Sequence, residues 1–219
     1  MDVSEDRVRA GTKLYSRFIL AIYDSFMLGC NCRLLWNCPS RSLLDMYNRY
    51  ASANHLDIGV GTGYFMDKCE SPDFGVRLAL MDLNPNSLRA AGKRLRRYKP
   101  EVYRRNALGP FALNAPAFDS VGMMNLLHCL PGDLKTKAVV FEHAKAVMNP
   151  GAVLFGSTIL YEGIVPNAPA ALTLKWCNRM RFMSNLHDTL ADLREGLARS
   201  FPQSSVSMIG REAVFWARK

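Results

Sequence analysis

A chain of 219 residues, 49% of them hydrophobic, is long enough for one α/β domain with a sizeable core. No apolar run approaches the roughly 20 residues that a membrane-spanning helix needs, and the start, Met1-Asp2-Val3-Ser4-Glu5-Asp6, is too acidic for a secretory leader, so a cytoplasmic protein is expected. A formal charge of +9 raises nucleic acid as a partner, yet much of the excess sits in Lys93-Arg94-Leu95-Arg96-Arg97-Tyr98-Lys99 and Arg104-Arg105, which fits the solvated face of one helix and the loop after it. The cysteines, Cys30, Cys32, Cys38, Cys69, Cys129 and Cys177, lack the paired spacing of zinc sites, so reduced thiols and no metal are expected.

Residues 5–28 carry Tyr15, Phe18, Ile19, Ile22, Tyr23 and Phe26 at spacings of three and four, one face of a helix that Gly29 ends. After an irregular stretch with Trp36, Ser40 is expected to cap a second helix through Tyr50, with Leu43, Leu44 and Tyr47 on its apolar face. These helices, 1–50, form a lid or wall. A strand at 54–58 runs into a glycine turn and a short helix at 64–70. A second strand covers 76–82, and Asn84-Pro85 supplies a cap and a first-position proline for the basic helix that ends near Tyr98. Strands follow at 101–105 and 118–125, then an amphipathic helix at 133–148, an Asn149-Pro150-Gly151 turn and a fifth strand at 152–160.

Alternating strands and helices predict a doubly wound parallel sheet with helices on both faces. The end differs. Helices at about 167–183 and 186–200 precede strands at 205–209 and 213–218, and the link Gly210-Arg211-Glu212 is too short for a parallel crossover, so the chain closes on an antiparallel hairpin. The whole reads as one domain, 1–219, with a cofactor core at 51–160, substrate-side helices at 161–203 and the hairpin at 204–219.

The chain is organised around His55-Leu56-Asp57-Ile58-Gly59-Val60-Gly61-Thr62-Gly63-Tyr64. A buried strand ends in an acid and runs into glycines at alternate positions, where positive φ and close ligand approach are both allowed. In open α/β sheets ligands bind beyond the strands' C-terminal ends, and Asp57, Asp82 and Asn106 fall at such ends. Asp82 stands 19 positions after Gly63, close to the roughly 20 at which an acid reaches a ribose diol. The spacing Gly-x-Gly-x-Gly, with Asp57 two residues ahead of it, suits an ammonium group better than a pyrophosphate. S-adenosylmethionine offers an ammonium, a ribose and an adenine, and no phosphate.

On these residues the chain resembles the class I S-adenosylmethionine-dependent methyltransferases. Leu56 to Gly63 is similar to that family's first motif, Leu80-Met81-Asp82-Leu83 to its second, Phe118-Asp119-Ser120-Val121 through His128 to its fourth-strand segment, and Met148-Asn149-Pro150-Gly151 to the turn before strand five. The resemblance implies a Rossmann-like seven-stranded sheet, with the hairpin as strands six and seven. It departs from the family at Arg105-Asn106-Ala107, where many members have Gly-Asp-Ala, and at Gly151-Ala152, usually Gly-Gly. The compact layout is similar to natural-product methyltransferases, including those acting on indoles.

By this resemblance Asp57 orients the methionine ammonium, Gly59 and Gly61 give backbone approach, Asp82 holds the ribose, Leu83, Asn106 and Ala107 line the adenine, and Asn125 meets the methionine moiety. His128 is the candidate general base, with a loop-capping or cofactor-flanking role as the alternative. Tyr15 toward the cofactor, Tyr23 beside the reacting groups and Trp36 toward the substrate form an aromatic wall, with a plain core stripe as the alternative. Tyr161, Trp176, Met180 and Met183 shape the opposite side. The expected activity is methyl transfer to carbon, nitrogen or oxygen of a small molecule in secondary metabolism, and a homodimer is allowed. A nucleic-acid methyltransferase using 93–105 is disfavoured, because Asn125-Leu126-Leu127-His128 stands where amino-methylating DNA enzymes carry Asn/Asp-Pro-Pro-aromatic. A non-catalytic cofactor-binding scaffold is the remaining alternative.

Overall fold

The computed structural model describes residues 35–70, 76–161 and 168–219. The helix expected at 5–28, with Tyr15 and Tyr23, lies outside the described residues. The elements run α1 (Ser40–Tyr50), β1 (Asn54–Ile58), α2 (Tyr64–Lys68), β2 (Arg77–Asp82), α3 (Pro85–Arg94), a 3₁₀ turn Arg96–Tyr98, β3 (Glu101–Arg104), β4 (Phe118–Met124), a 3₁₀ turn Leu127–Cys129, α4 (Leu134–Lys137), α5 (Val139–Ala146), β5 (Met148–Ile159), α6 (Ala168–Arg179), α7 (Leu190–Ser200), β6 (Gln203–Ile209) and β7 (Glu212–Arg218).

One seven-stranded sheet has the order β3-β2-β1-β4-β5-β7-β6. The first five strands pair in parallel, and β7 pairs antiparallel with both β5 and β6. This is the Rossmann-like, doubly wound sheet with a terminal hairpin that the sequence predicts. Strand order reverses direction between β1 and β4, so their C-terminal ends open a crevice. Leu56, Ile58, Ala79 and Met81 face one core with Phe141, Leu193 and Leu197, whereas Leu78 and Leu80 face the other with Leu43, Tyr47, Leu88 and Leu174. Burial on both faces explains why the strands read as nearly continuous apolar runs.

Several boundaries differ from the sequence reading for local reasons. Pro39, extended at φ −61°, holds the position before α1, so Ser40 is the first helical residue and makes no side-chain cap. Asn84 does cap α3, accepting from the Asn86 N–H at 2.9 Å, with Pro85 at the first position. The helix expected at 133–148 is two, α4 capped by Asp133 and α5 beginning after Ala138, where the Phe141 N–H reaches back only three residues. The break lets Leu134, Val140, Phe141 and Ala144 all enter one core.

The turn Asn149-Pro150-Gly151 proves to be part of β5. Met148 pairs with Phe118 and Val153 with Ser120, so the strand bulges between them, and Gly151 at φ +81° donates to the Lys219 carbonyl at 2.8 Å. A second irregularity ties the segment before α1 to the β6–β7 hairpin. The Arg211 N–H donates to the Trp36 carbonyl at 2.8 Å, its guanidinium Nη1 to the Leu35 carbonyl at 3.0 Å, and Gly210 lies so close that a Cβ would stand 2.3 Å from the Asn37 oxygen. Beneath α4, the fully buried Lys137 pairs with buried Asp188 at 2.7 Å and also donates to the Ser184 carbonyl, which anchors the α6–α7 connection.

Gly156 sets how closely β4, β5 and β7 approach: a Cβ there would lie 2.4 Å from the Met123 carbonyl oxygen and 2.8 Å from Phe215. Gly156→Ala should lower stability by about 2 kcal/mol, read in urea as a lower midpoint with an unchanged slope.

Candidate active site

The crevice between β1 and β4 is a cleft of about 1070 Å³ including its open mouth. Asp57, Gly59, Gly61, Asp82, Leu83, Asn106, Ala107 and Asn125, eight residues singled out from the sequence, line this one cleft. Tyr47, Tyr64, Phe65, Leu126, Cys129, Leu130 and Pro131 complete its other wall.

Asp57 is the most constrained of them. It stands opposite Gly122 of β4, and a Cβ on Gly122 would meet its Oδ1 at 2.6 Å, so glycine there makes room for the carboxylate. The Tyr47 hydroxyl, from α1, donates to the same oxygen at 2.8 Å. The Tyr47 ring stacks on Phe65 with centroids 5.5 Å apart and meets the Phe155 edge at 5.0 Å, which locks its direction. Burial, then the neighbouring Asp57 charge, hold the Tyr47 hydroxyl well above its ordinary pKa, so it remains a donor. Beside them the buried His55 ring puts Nδ1 2.8 Å from the Ser120 hydroxyl and Nε2 3.7 Å from Asp57 Oδ1.

The glycine turn follows. Gly59, at φ +73°, donates its N–H to the Met81 carbonyl at 2.8 Å. A Cβ on Gly61, at φ +51°, would meet nothing within 4 Å, so open space lies directly over its backbone. The Arg94 guanidinium, from α3, holds the Thr62 hydroxyl at 3.0 Å. Burial pushes the Asp82 carboxyl up to about 6 against the backbone N–H groups of Asn84, Gly61 and Leu83 that favour its charge. Asn106 accepts the Leu108 N–H at its Oδ1 at 3.0 Å and lines the cleft. The α2 helix spans only five residues, so the site rests on the turn's backbone and the two acids rather than on a long helix dipole.

A group bearing an ammonium, a diol and a flat base fits these residues: a carboxyl held by Tyr47, open space over the Gly61 backbone, and a second carboxyl, Asp82, in the same lining. Other expectations are placed elsewhere. His128 is buried outside the cleft lining, with its Nδ1 accepting the Ile159 N–H at 3.2 Å. Burial, then the charge of Lys137, push the imidazole down to about 3, so it is neutral and weakly basic. Trp36 is enclosed in the core near the hairpin, away from the cleft. Tyr161 packs on the same core, and Met180 is 49% exposed at the end of α6, so neither lines the cleft. Met183 instead lines a second hollow with Asn178, Arg181 and His187, and Cys129 and Pro131 border both hollows. Tyr15 and Tyr23 lie outside the described residues.

Among the lining residues not singled out from the sequence, Tyr47 was visible only as one more apolar position of a helix. Tyr64 and Phe65 carried a signal, since they follow the glycine turn directly.

A methyltransferase-domain family model matches residues 56–154. The chain is 39% identical over 213 residues to demethylluteothin O-methyltransferase of Streptomyces thioluteus, covering 97% of this chain and 93% of that protein. It is 36% identical to the physcion biosynthesis cluster O-methyltransferase of Aspergillus chevalieri, covering 95% of each. Among solved structures, the N-methyltransferase NodS of Bradyrhizobium japonicum WM9 in complex with S-adenosyl-L-homocysteine superposes with a TM-score of 0.57 at 16% identity, over 91% of this chain and 94% of that one. The chain belongs to the class I S-adenosylmethionine-dependent methyltransferases. It is an enzyme that uses S-adenosylmethionine to methylate a small molecule.

Asp82→Ala should abolish cofactor binding detectable by calorimetry. With Asp82 in the diol-accepting role that the sequence resemblance implies, only the carboxylate accepts both hydroxyls, so affinity should fall as pH drops through about 6, with Kd rising about tenfold between pH 7 and 5. A flat Kd over that range would remove Asp82 from the role.

Proposed function

We propose that the enzyme methylates a hydroxyl oxygen of a small, largely apolar and flat natural product. The observation that carries this reading is the relatedness over nearly the whole chain to two proteins named as O-methyltransferases. It favours oxygen among the carbon, nitrogen and oxygen acceptors that the sequence left open. The cleft supports it: Tyr47, Tyr64, Phe65, Leu126, Leu130 and Pro131 give its lining an aromatic and aliphatic part.

In this reading Asp57 takes the ammonium, Asp82 the ribose, and Leu83, Asn106 and Ala107 the adenine, while Asn125 faces the methionine moiety. When bound, the cofactor supplies a methyl group on a positively charged sulfur. The protein contributes placement and exclusion of water, which are the main terms in an in-line displacement. His128, held neutral by burial and committed at Nδ1 to Ile159, supports the β4–β5 end of the cleft rather than taking the acceptor's proton. The acceptor then needs a hydroxyl acidic enough to ionise without it.

A nucleic-acid acceptor is disfavoured by the use made of the basic region. Arg94 holds Thr62, Arg97 pairs with Asp67 at 2.6 Å and stacks on Tyr98, and Arg104 donates to the Leu83 carbonyl, so these cations brace the cofactor wall. Among the described residues no helix is long and apolar enough to cross a membrane, which supports a cytoplasmic setting. We take the chain as one methyltransferase domain, because a single sheet joins β1 through β7.

Incubation with methyl-labelled cofactor and extract from the source organism should give a labelled small molecule whose fragments place the methyl on oxygen. Labelling on carbon or nitrogen, or of nucleic acid, would overturn the oxygen reading. His128→Asn keeps an acceptor for the Ile159 N–H and should turn over within a factor of about three of wild type. Because the unfolded imidazole binds a proton near 6.5 and the folded one only near 3, wild-type stability should fall relative to this variant by about 1.4 kcal/mol per pH unit on acidification between those values. A loss of turnover of a hundredfold in the folded variant would restore His128 as a base.

A further inference from the structure

Behind the cleft, three side chains from three different parts of the chain meet in line. Glu212, the first residue of β7, is fully buried and pairs across the sheet with Ile159 and Ile209. Its Oε1 lies 2.5 Å from the hydroxyl of Ser157, itself fully buried on β5. The same hydroxyl lies 3.3 Å from Oδ1 of Asn125, and its oxygen is 3.3 Å from the Asn125 N–H. Asn125 is held at φ +57°, with its N–H also donating to the Ser157 carbonyl at 3.1 Å, and it lines the cleft.

A hydroxyl carries one hydrogen, yet Ser157 faces two carbonyl-type oxygens that both need one. The arrangement is complete when Glu212 is the neutral acid. Its O–H then donates to Ser157, the Ser157 O–H donates to Asn125 Oδ1, and the Asn125 amide nitrogen is left for the cleft. If Glu212 is ionised, Ser157 must turn its hydrogen back to the carboxylate, and Asn125 Oδ1 loses its donor. The amide must then rotate to give Ser157 its nitrogen, which presents an oxygen to the cleft instead.

The surroundings favour the acid. Among the described residues no cation pairs with Glu212, and its Oε2 has no hydrogen-bond partner. Among the described residues, the Cys38 thiol from the segment before α1 contacts it, the neighbouring Arg211 turns Nη1 to the Leu35 carbonyl, and His128 reaches Thr158, next to Ser157 on β5, at 3.4 Å. Burial pushes the Glu212 carboxyl up to about 7, against the Ser157 and Cys38 contacts that lower it. A buried carboxyl without a counter-ion keeps its proton.

We propose that Glu212 is a positioning residue of the methyl-transfer site, which as a neutral acid acts through Ser157 to fix the amide of Asn125 with its nitrogen toward the cofactor. The assignment rests on the reading of Asn125 as a cofactor contact. Its consequence is a loss of cofactor affinity as pH rises through about neutral, opposite in sign to the effect of Asp82.

The test is calorimetric binding of S-adenosylmethionine between pH 6 and 8.5 to the full chain and three variants, with near-ultraviolet circular dichroism confirming the fold. Glu212→Gln is neutral at every pH and keeps a donor for Ser157. Its Kd should match wild type within threefold at pH 6 and be about tenfold lower than wild type at pH 8.5. Ser157→Ala leaves the carboxyl in place and cuts the chain, so its Kd should rise about fivefold at pH 6 and follow the Glu212→Gln pH profile above it. Superimposable pH profiles for wild type and Glu212→Gln, or for wild type and Ser157→Ala, would overturn the relay. Asn125→Ala separates the two ideas: wild-type Kd in that variant overturns the cofactor contact itself, whereas weakened binding there with an unchanged Glu212→Gln profile overturns only the relay.

Discussion

A carboxyl group buried between parallel strands has to be given hydrogen-bond partners and space at close range. Much of this fold follows from meeting that demand at Asp57. Space comes from β4, where Gly122 leaves room over the acid. The donor comes from α1, a helix that precedes the sheet and docks Tyr47 between Phe65 and Phe155. The helix taken from sequence as a lid therefore lines the cleft through Tyr47, and its packing and its chemistry are the same contact.

The basic stretch is explained on the same terms. Arg94 of α3, Arg97 of the 3₁₀ turn and Arg104 of β3 bond to Thr62, Asp67 and the Leu83 carbonyl, all within or beside segments that line the cleft. A positive surface here is compatible with a neutral function, because the guanidinium fork can hold carbonyl and hydroxyl oxygens that a short side chain could not reach. Net charge thus says less about partners than the destinations of individual side chains do.

The strand–helix alternation, the closing hairpin and the residues from Asp57 to Asn125 were all legible in the sequence, since each is announced by local period, a cap or a glycine spacing. What was not legible depends on which strands lie side by side. Nothing near Tyr47 in the chain announces Asp57, and nothing near Asn125 announces Ser157 or Glu212. His128 followed a strand end as a catalytic base would, but the α4 lysine and the β5 backbone that surround it come from elsewhere. Trp36 looked like a wall residue because aromatic type alone does not reveal a carbonyl latched to a distant hairpin. The bulge at Asn149–Gly151 escaped notice because proline and glycine signal a turn whether or not the strand continues past it.

That latch has a temporal side. The carbonyls of Leu35 and Trp36 are gripped by Arg211, 176 positions after Leu35 in the chain. During synthesis the hairpin emerges after every other described element, so the Leu35 and Trp36 carbonyls lack their Arg211 donors until then. Contacts of such long sequence separation also form late in refolding, since their loop must close before they are rewarded. The segment that leads into α1 is thus clasped by a hairpin made long after it, and a nascent chain carrying the motifs from Asp57 to Asn125 still lacks that clasp.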